Sequence, residues 1–476
     1  MTQRCTLIYK LIQRNARKFA LHQILGSHPS VEYPYVVWGQ IMSTYCTVKT
    51  KIHVFVLLML GIMFHVTSQA LPAFATQTGQ NCMACHAGGQ YPELTPYGRM
   101  FKLTGYTIGE KALRASVMAI AGSSKMSNPD SVNAAVGLNT PYKNGSLQFE
   151  TASLFLAGKV ADNIGVFSQL TYDNLQAVDG GGYSGHTSMD GVDVRYADQF
   201  VNENSNVIYG ISLNNRPSIA DPWNTSWAWM QYVPSSPDRG ANQYGDGGSN
   251  GPPYPGNGTS AAGLAGLSAY VFLNKTIYAE LGFYKTARGL FKFLNTGSPQ
   301  IESTLRSTNP YWRLAYNKEW GAHSWMLGTS GMVSHQYDPT ISSLCTSDPT
   351  CYQSGRVRGF DTQYQYLLDP HTFTLQGAYQ KQTFDAGAQV VSASTNMNIT
   401  RMKASYVYQA KYGGSYSFFN VPGGTDLATR GGTYEVFYMP IQNVRFGLQY
   451  TAYSKLPSID TPSDANTVRF YIWAAY

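Results

Sequence analysis

The sequence predicts an all-β fold: a transmembrane outer-membrane β-barrel of about 16 antiparallel strands. Three observations predict it. The first is composition. Of 476 residues only 13% are charged and 13% are aromatic, with 35 Tyr and 46 Gly. Aromatic girdles and Gly-containing strands give barrels that profile, which is unusual for a soluble enzyme. The second is periodicity. Through residues 113–476, runs of about ten residues alternate apolar and polar side chains between turn residues. Val444, Phe446, Leu448 and Tyr450 alternate with Arg445, Gly447, Gln449 and Thr451. One such face suits lipid and the other a polar lumen. The third is the spacing of the connections. Short turns fall near Ala161-Asp162-Asn163, Asn202-Glu203-Asn204, Asn274-Lys275, Trp320-Gly321, Asp369-Pro370, Gly413-Gly414 and Gln442-Asn443. Longer polar or Gly/Pro/Ser-rich stretches lie between them, the longest over residues 217–263. Seven short turns and eight long loops separate sixteen strands, the outer-membrane topology with both termini periplasmic.

Taken in order, residues 1–41 fit neither a leader nor a domain and read as an extension upstream of the true start at Met42. Residues 42–75 read as a Sec signal peptide. Lys49 and Lys51 precede 13 apolar residues (54–66), and Ala73-Phe74-Ala75 supplies the small-residue end. Thirteen apolar residues are too few for a comfortable membrane span. The net charge of +7 is carried by this region. Residues 1–75 hold seven Lys/Arg and one acid, which leaves 27 bases against 26 acids. Such a balance gives no nucleic-acid footprint.

Residues 76–112 hold the chemistry. Cys82-Met83-Ala84-Cys85-His86 is C-x-x-C-H, the attachment signature of a c-type haem. Two thiols add to the haem vinyl groups, and His86 is placed to ligate the iron. Zinc would want two further ligands nearby, and a redox dithiol would want a βαβ setting; the sequence offers neither. About 37 residues cannot bury a haem in a core of their own. A sixteen-stranded barrel leaves a lumen that side chains do not fill. The segment is therefore expected to fold into that lumen as a small N-terminal haem plug.

Thr95-Pro96 reads as an N-cap followed by Pro at the first helical position, opening a short helix to about Leu103. Arg99 and Lys102 sit on it. Arg99 is the first choice to pair with a haem propionate. For the second iron ligand, strand parity points Met118 into the lumen with Arg114, Ser116 and Ile120. Met118 is the first choice, with Met100, Met326 and Met332 behind it. His335 and His371 lie near strand ends. Asp221, Asp238 and Asp246 fall in the longest loop and could attract cations, but a polar loop facing solvent is the first reading of them. Cys345 and Cys351 read as a disulfide closing a small exported loop. Val468, Phe470, Ile472, Ala474 and Tyr476 give the last strand one apolar face with a terminal aromatic. That ending resembles the signal recognised by the barrel-assembly machinery.

Several stretches resemble the outer-membrane fused monohaem cytochrome c–porins, the iron(II) oxidases of iron-oxidising bacteria. They are Phe74-Ala75-Thr76-Gln77-Thr78-Gly79, the Cys82 to His86 motif, Pro92-Glu93-Leu94-Thr95-Pro96-Tyr97-Gly98-Arg99 and Phe101-Lys102-Leu103-Thr104-Gly105-Tyr106. The resemblance implies a monohaem electron conduit in the outer membrane. Extracellular ferrous iron would give up an electron, and a periplasmic cytochrome c or copper protein would accept it. Two other functions stay open on the residues alone. One is a diffusion porin with a haem-bearing plug; the other is a haem enzyme acting on a small molecule such as peroxide.

Overall fold

The computed structural model describes residues 72–89, 93–110, 113–136, 143–178, 182–224, 264–294, 304–305, 308–337, 353–385, 395–421, 429–456 and 459–476. The Cys345–Cys351 pair, Asp238 and Asp246 lie outside the described residues, as does everything before Pro72.

The wall is one antiparallel sheet. Its strands are β1 Leu113–Met126, β2 Leu147–Ala161, β3 Ile164–Val178, β4 Gly182–Val201, β5 Asn206–Asn214, β6 Leu264–Leu273 and β7 Ile277–Thr286. After a two-residue piece, β8 Thr304–Leu305, come β9 Asn309–Trp320, β10 His323–Tyr337, β11 Gln353–Leu368, β12 His371–Phe384 and β13 Thr395–Tyr408. The chain finishes with β14 Tyr412–Val421, β15 Thr429–Ile441, β16 Val444–Lys455 and β17 Thr467–Ala475. Sequential strands pair throughout, and β17 returns to pair with β1, setting Met118 opposite Ala475 and Met126 opposite Thr467. Leaving aside β8, which only extends the far end of β10 at Gln336 and Tyr337, sixteen strands close the sheet. Closure removes every free edge, so each strand's backbone groups are satisfied by its neighbours.

The period-2 pattern puts the two faces in different solvents. Leu281, Phe283, Leu314, Phe360, Val436 and Leu448 point outward and are exposed, while Asp193, Arg195, Glu280, Arg313, Gln365, Glu435 and Arg469 point inward and are buried. An apolar outside with a polar inside is the barrel that a lipid bilayer selects. At the short-turn end the outer face carries a girdle of stacked rings. His323 lies 5.3 Å from Trp320 and 5.1 Å from Tyr366, Phe373 lies 4.6 Å from Tyr406, and Tyr412 lies 5.1 Å from Tyr438. His371 belongs to this outer belt, 5.5 Å from Tyr408, and so has no part in the lumen.

Six of the seven expected short turns fall where the sequence places them. The exception is Gly413-Gly414, which lies inside β14, opposite Phe437 and Val436. The turn is made by Gln409 and Ala410, whose φ values of 53° and 50° are the left-handed pair that a tight hairpin needs. Gly413 is a glycine for another reason: a side chain there would meet the Phe437 ring at 2.1 Å.

Residues 72–110 fold on the inner side of this wall. Three short helices carry them: α1 Pro72–Thr78, α2 Cys82–Cys85 and α3 Pro96–Leu103. Their partners run round the barrel from Lys159 on β2 to Met439 on β15, near the short turns.

Candidate functional site

Helix α2 is one turn long and carries both thiols. Asn81 caps it, its side-chain oxygen accepting the Ala84 N–H at 3.1 Å. Cys82 and Cys85 are thiols rather than a disulfide. Cys82 is anchored to the wall, its backbone N–H donating to the Gln442 side chain in the turn before β16. Burial and the neighbouring Cys82 push the Cys85 thiol up to about 11, so it stays protonated. His86 leaves the helix in an extended conformation and bridges to Leu94. Enclosure pushes its imidazole down to about 3, which keeps the ring neutral, the form that ligates a metal.

The chain then turns on Gly88 (φ 61°) and Gly89 (φ 73°), both left-handed. A side chain on Gly88 would collide with Val407 of β13 at 2.8 Å. Glycine is thus required twice over, by backbone and by wall. Helix α3 packs under α2 through Gly98, where an added side chain would meet the Cys85 carbonyl oxygen at 2.2 Å. Thr95 caps α3 by accepting the Gly98 N–H at 3.1 Å.

Three cations tie the segment to its surroundings. Arg99, 3% exposed, donates to Glu319 at 3.1 Å, Ser324 at 2.6 Å and Gln365 at 3.0 Å. Its guanidinium is thus bound to β9, β10 and β11. A propionate at Arg99 would have to join or displace those groups. Lys102 donates to the Asp221 carbonyl at 2.7 Å and to the Asn224 side chain at 2.9 Å. Burial, and then the nearby Arg195, push the Lys102 ammonium down to about 7. Lys403 on β13 meets Glu93 at 2.5 Å, with both side chains buried. Breaking a buried pair by removing one partner costs about 3–5 kcal/mol. Lys403→Met should therefore loosen the segment by about that much. Limited proteolysis of the purified barrel should then cut around Glu93 while the strands stay resistant; unchanged resistance would show the pair to be idle.

The longest connection begins inside the lumen. Asp221 is fully buried and pairs with Arg313 at 3.1 Å. It is therefore an interior ion-pair partner, which corrects its reading as a surface loop acid. Trp223 follows it and packs 5.4 Å from Tyr278 and 6.1 Å from Phe272. Leu103 of α3 is fully buried in the same cluster with Ile208 and Met326. Beside it lies a cavity of about 220 Å³, lined among others by Tyr97, Met100, Trp223, Phe272 and Lys275.

The inward methionines now have places. Met118 is on the inner face, as parity implies, but packs with Ile120 against Tyr471 and Trp473. Met326 is sealed in the Leu103 cluster, and Met332 in another with Tyr284 and Tyr311. Met100 borders the cavity on the side of α3 turned from α2. The sequence reading missed Met439, which is buried with Val407 and Phe437. Its methyl lies 3.9 Å from where a side chain on Gly89 would begin. Parity could have found it, since Tyr434, Val436 and Tyr438 point out and leave Glu435, Phe437 and Met439 pointing in.

Helix α1 carries Ala73 to Ala75, the end of the expected leader. Ala73 is buried, and the Phe74 ring lies 4.8 Å from Phe101 and 5.4 Å from Tyr106. A cut after Ala75 would remove both residues from a packed aromatic cluster. With these contacts kept, the mature chain would begin ahead of Phe74 rather than at Thr76. N-terminal sequencing of outer-membrane material checks this, and a start at Thr76 would contradict it.

No protein-family model and no curated protein sequence matches the chain. Among solved structures it is similar to OmpF of Salmonella typhi, in a complex with daunomycin, at 12% identity over 77% of this chain and 98% of that one (TM-score 0.44). It is similar to the outer-membrane channel DcaP of Acinetobacter baumannii at 9% identity over 77% and 99% (TM-score 0.43). It is also similar to an anion-selective porin from Comamonas acidovorans at 11% identity over 77% and 100% (TM-score 0.41). The barrel assignment itself stands on the closed strand ladder.

Proposed function

We propose that this outer-membrane barrel is an electron conduit that oxidises extracellular iron(II) through one covalent c-type haem and delivers the electron to a periplasmic cytochrome c or copper protein. What supports the reading is the C-x-x-C-H sequence from Cys82 to His86, on a short segment whose Arg99 meets inward side chains of the wall. When bound, the haem supplies a one-electron centre. The residues fit it: Cys82 and Cys85 offer two thiols one helical turn apart, and His86 follows with a neutral ring. The chain's own work is positional. Gly88 and Gly98 permit close approach of the attachment loop to the wall and to α3. Arg99, Lys102 and Lys403 fix the segment to β9–β11, to the inward loop and to β13. Iron as donor follows from the family resemblance, not from a coordination site.

The wall by itself is that of a porin, so a diffusion porin with a haem-bearing plug is the second reading. A sixteen-stranded closed sheet with a polar lumen favours it. One experiment separates the two. The full-length protein is reconstituted in vesicles enclosing oxidised cytochrome c, and iron(II) is added outside under anaerobic conditions. Reduction of the enclosed cytochrome with little ion conductance supports the conduit. Steady conductance without reduction supports the porin.

A further inference from the structure

We propose that Met439 would hold the haem iron together with His86, its thioether supplying the second protein ligand. The proposal rests on the electron-conduit reading and names a residue for the site it requires. A thioether is soft and polarizable, and opposite histidine it raises a haem's potential. Met439 is itself packed, with Val407 and Phe437, and what sets the other inward methionines named here apart is that they pack elsewhere in the barrel. Met326 and Met332 are shut into clusters on β10. Met126 is packed with Val132 and Tyr453 near the long connections. Met100 faces Trp223 and Phe272, away from the helix that carries the thiols. Met118 packs on Tyr471 and Trp473.

Of these methionines, Met439 is the one set beside the attachment loop, its methyl 3.9 Å from where a side chain on Gly89 would begin. Its methyl reaches the Gly89 turn, three residues after His86, and its neighbour Val407 abuts Gly88. Three residues beyond Met439, Gln442 accepts the Cys82 N–H. The end of β15 and the turn after it therefore hold both ends of the attachment loop, from Cys82 to Gly89. Met439 is 2% exposed and cannot serve a surface role. Ligation here is donation of a sulfur lone pair, with no bond broken and no electron transferred.

The test uses the full-length chain, matured with covalent haem and purified from outer membranes. Met439→Leu conserves volume, Met439→His offers a different ligand, and Met118→Leu is the comparison. Three quantities are read: haem stain on a denaturing gel, the near-infrared Met–iron charge-transfer band of the ferric protein, and the midpoint potential. The expected result is that Met439→Leu keeps the stain and loses the band, while Met118→Leu keeps both. Met439→His should keep a six-coordinate spectrum at a lower potential, which packing alone would not produce. A band that persists in Met439→Leu overturns the proposal, as does a parent protein without the band. A parent without covalent haem would instead overturn the conduit reading.

Discussion

Replacing Cys82 and Cys85 together by Ala is expected to abolish covalent haem, while either single replacement leaves one of the two bonds. On the conduit reading each thiol would form one of the two bonds that hold the group through denaturation, and no other cysteine is described near them. Their spacing is fixed by α2, whose four residues make one turn, so no neighbour can stand in. The barrel should still assemble, because neither thiol contributes to the strand ladder. The measurement is a haem stain on a denaturing gel beside an unheated gel that reports barrel compactness. Loss of stain with unchanged mobility is the expected pair of results. A stained band of normal intensity in the double variant would place the attachment elsewhere.

The second large effect is expected from deleting residues 76–110. Those residues meet the wall from β2 to β15, at Lys159, Ala197, Gln365, Val407 and Met439 among others. With them gone, the polar inner face left behind is that of a water-filled sixteen-stranded channel. Planar-bilayer conductance should rise by an order of magnitude or more over the full chain. The inward start of the longest loop would narrow the channel, because Asp221 keeps its pairing with Arg313 when Lys102 is removed. Equal conductance with and without the segment would mean that it does not seal the lumen.

How much of this could be read from sequence follows the range of the interactions. Parity along a strand is local, so the inward placement of Ser324, Met326 and Met332 and the outward face of β17 follow from period two. The motif at Cys82 to His86 and the Thr95-Pro96 cap are local too, and both stand on helix ends. Partners across the lumen are another matter. Arg99 is more than 200 residues from Glu319, Ser324 and Gln365, and nothing in the helix announces them. Met439 shares its inward parity with several other methionines, and only the path of the Gly88-Gly89 turn sets it apart. Gly413-Gly414 misleads because glycine marks a turn and a crowded strand alike; the nearby Phe437 ring decides which. Asp221 misleads because a long polar stretch hides the point where the chain dips inward.

The pairing of β1 with β17 also sets an order of events in biogenesis. The cylinder cannot shut until the last nine residues of the final strand are in place, because they are the other half of the seam. The N-terminal segment touches inner residues on strands from all round that cylinder. Once the seam is made, a folded segment of this size with a bulky group attached has no lateral way in. On the conduit reading, haem addition would therefore have to precede closure of the seam.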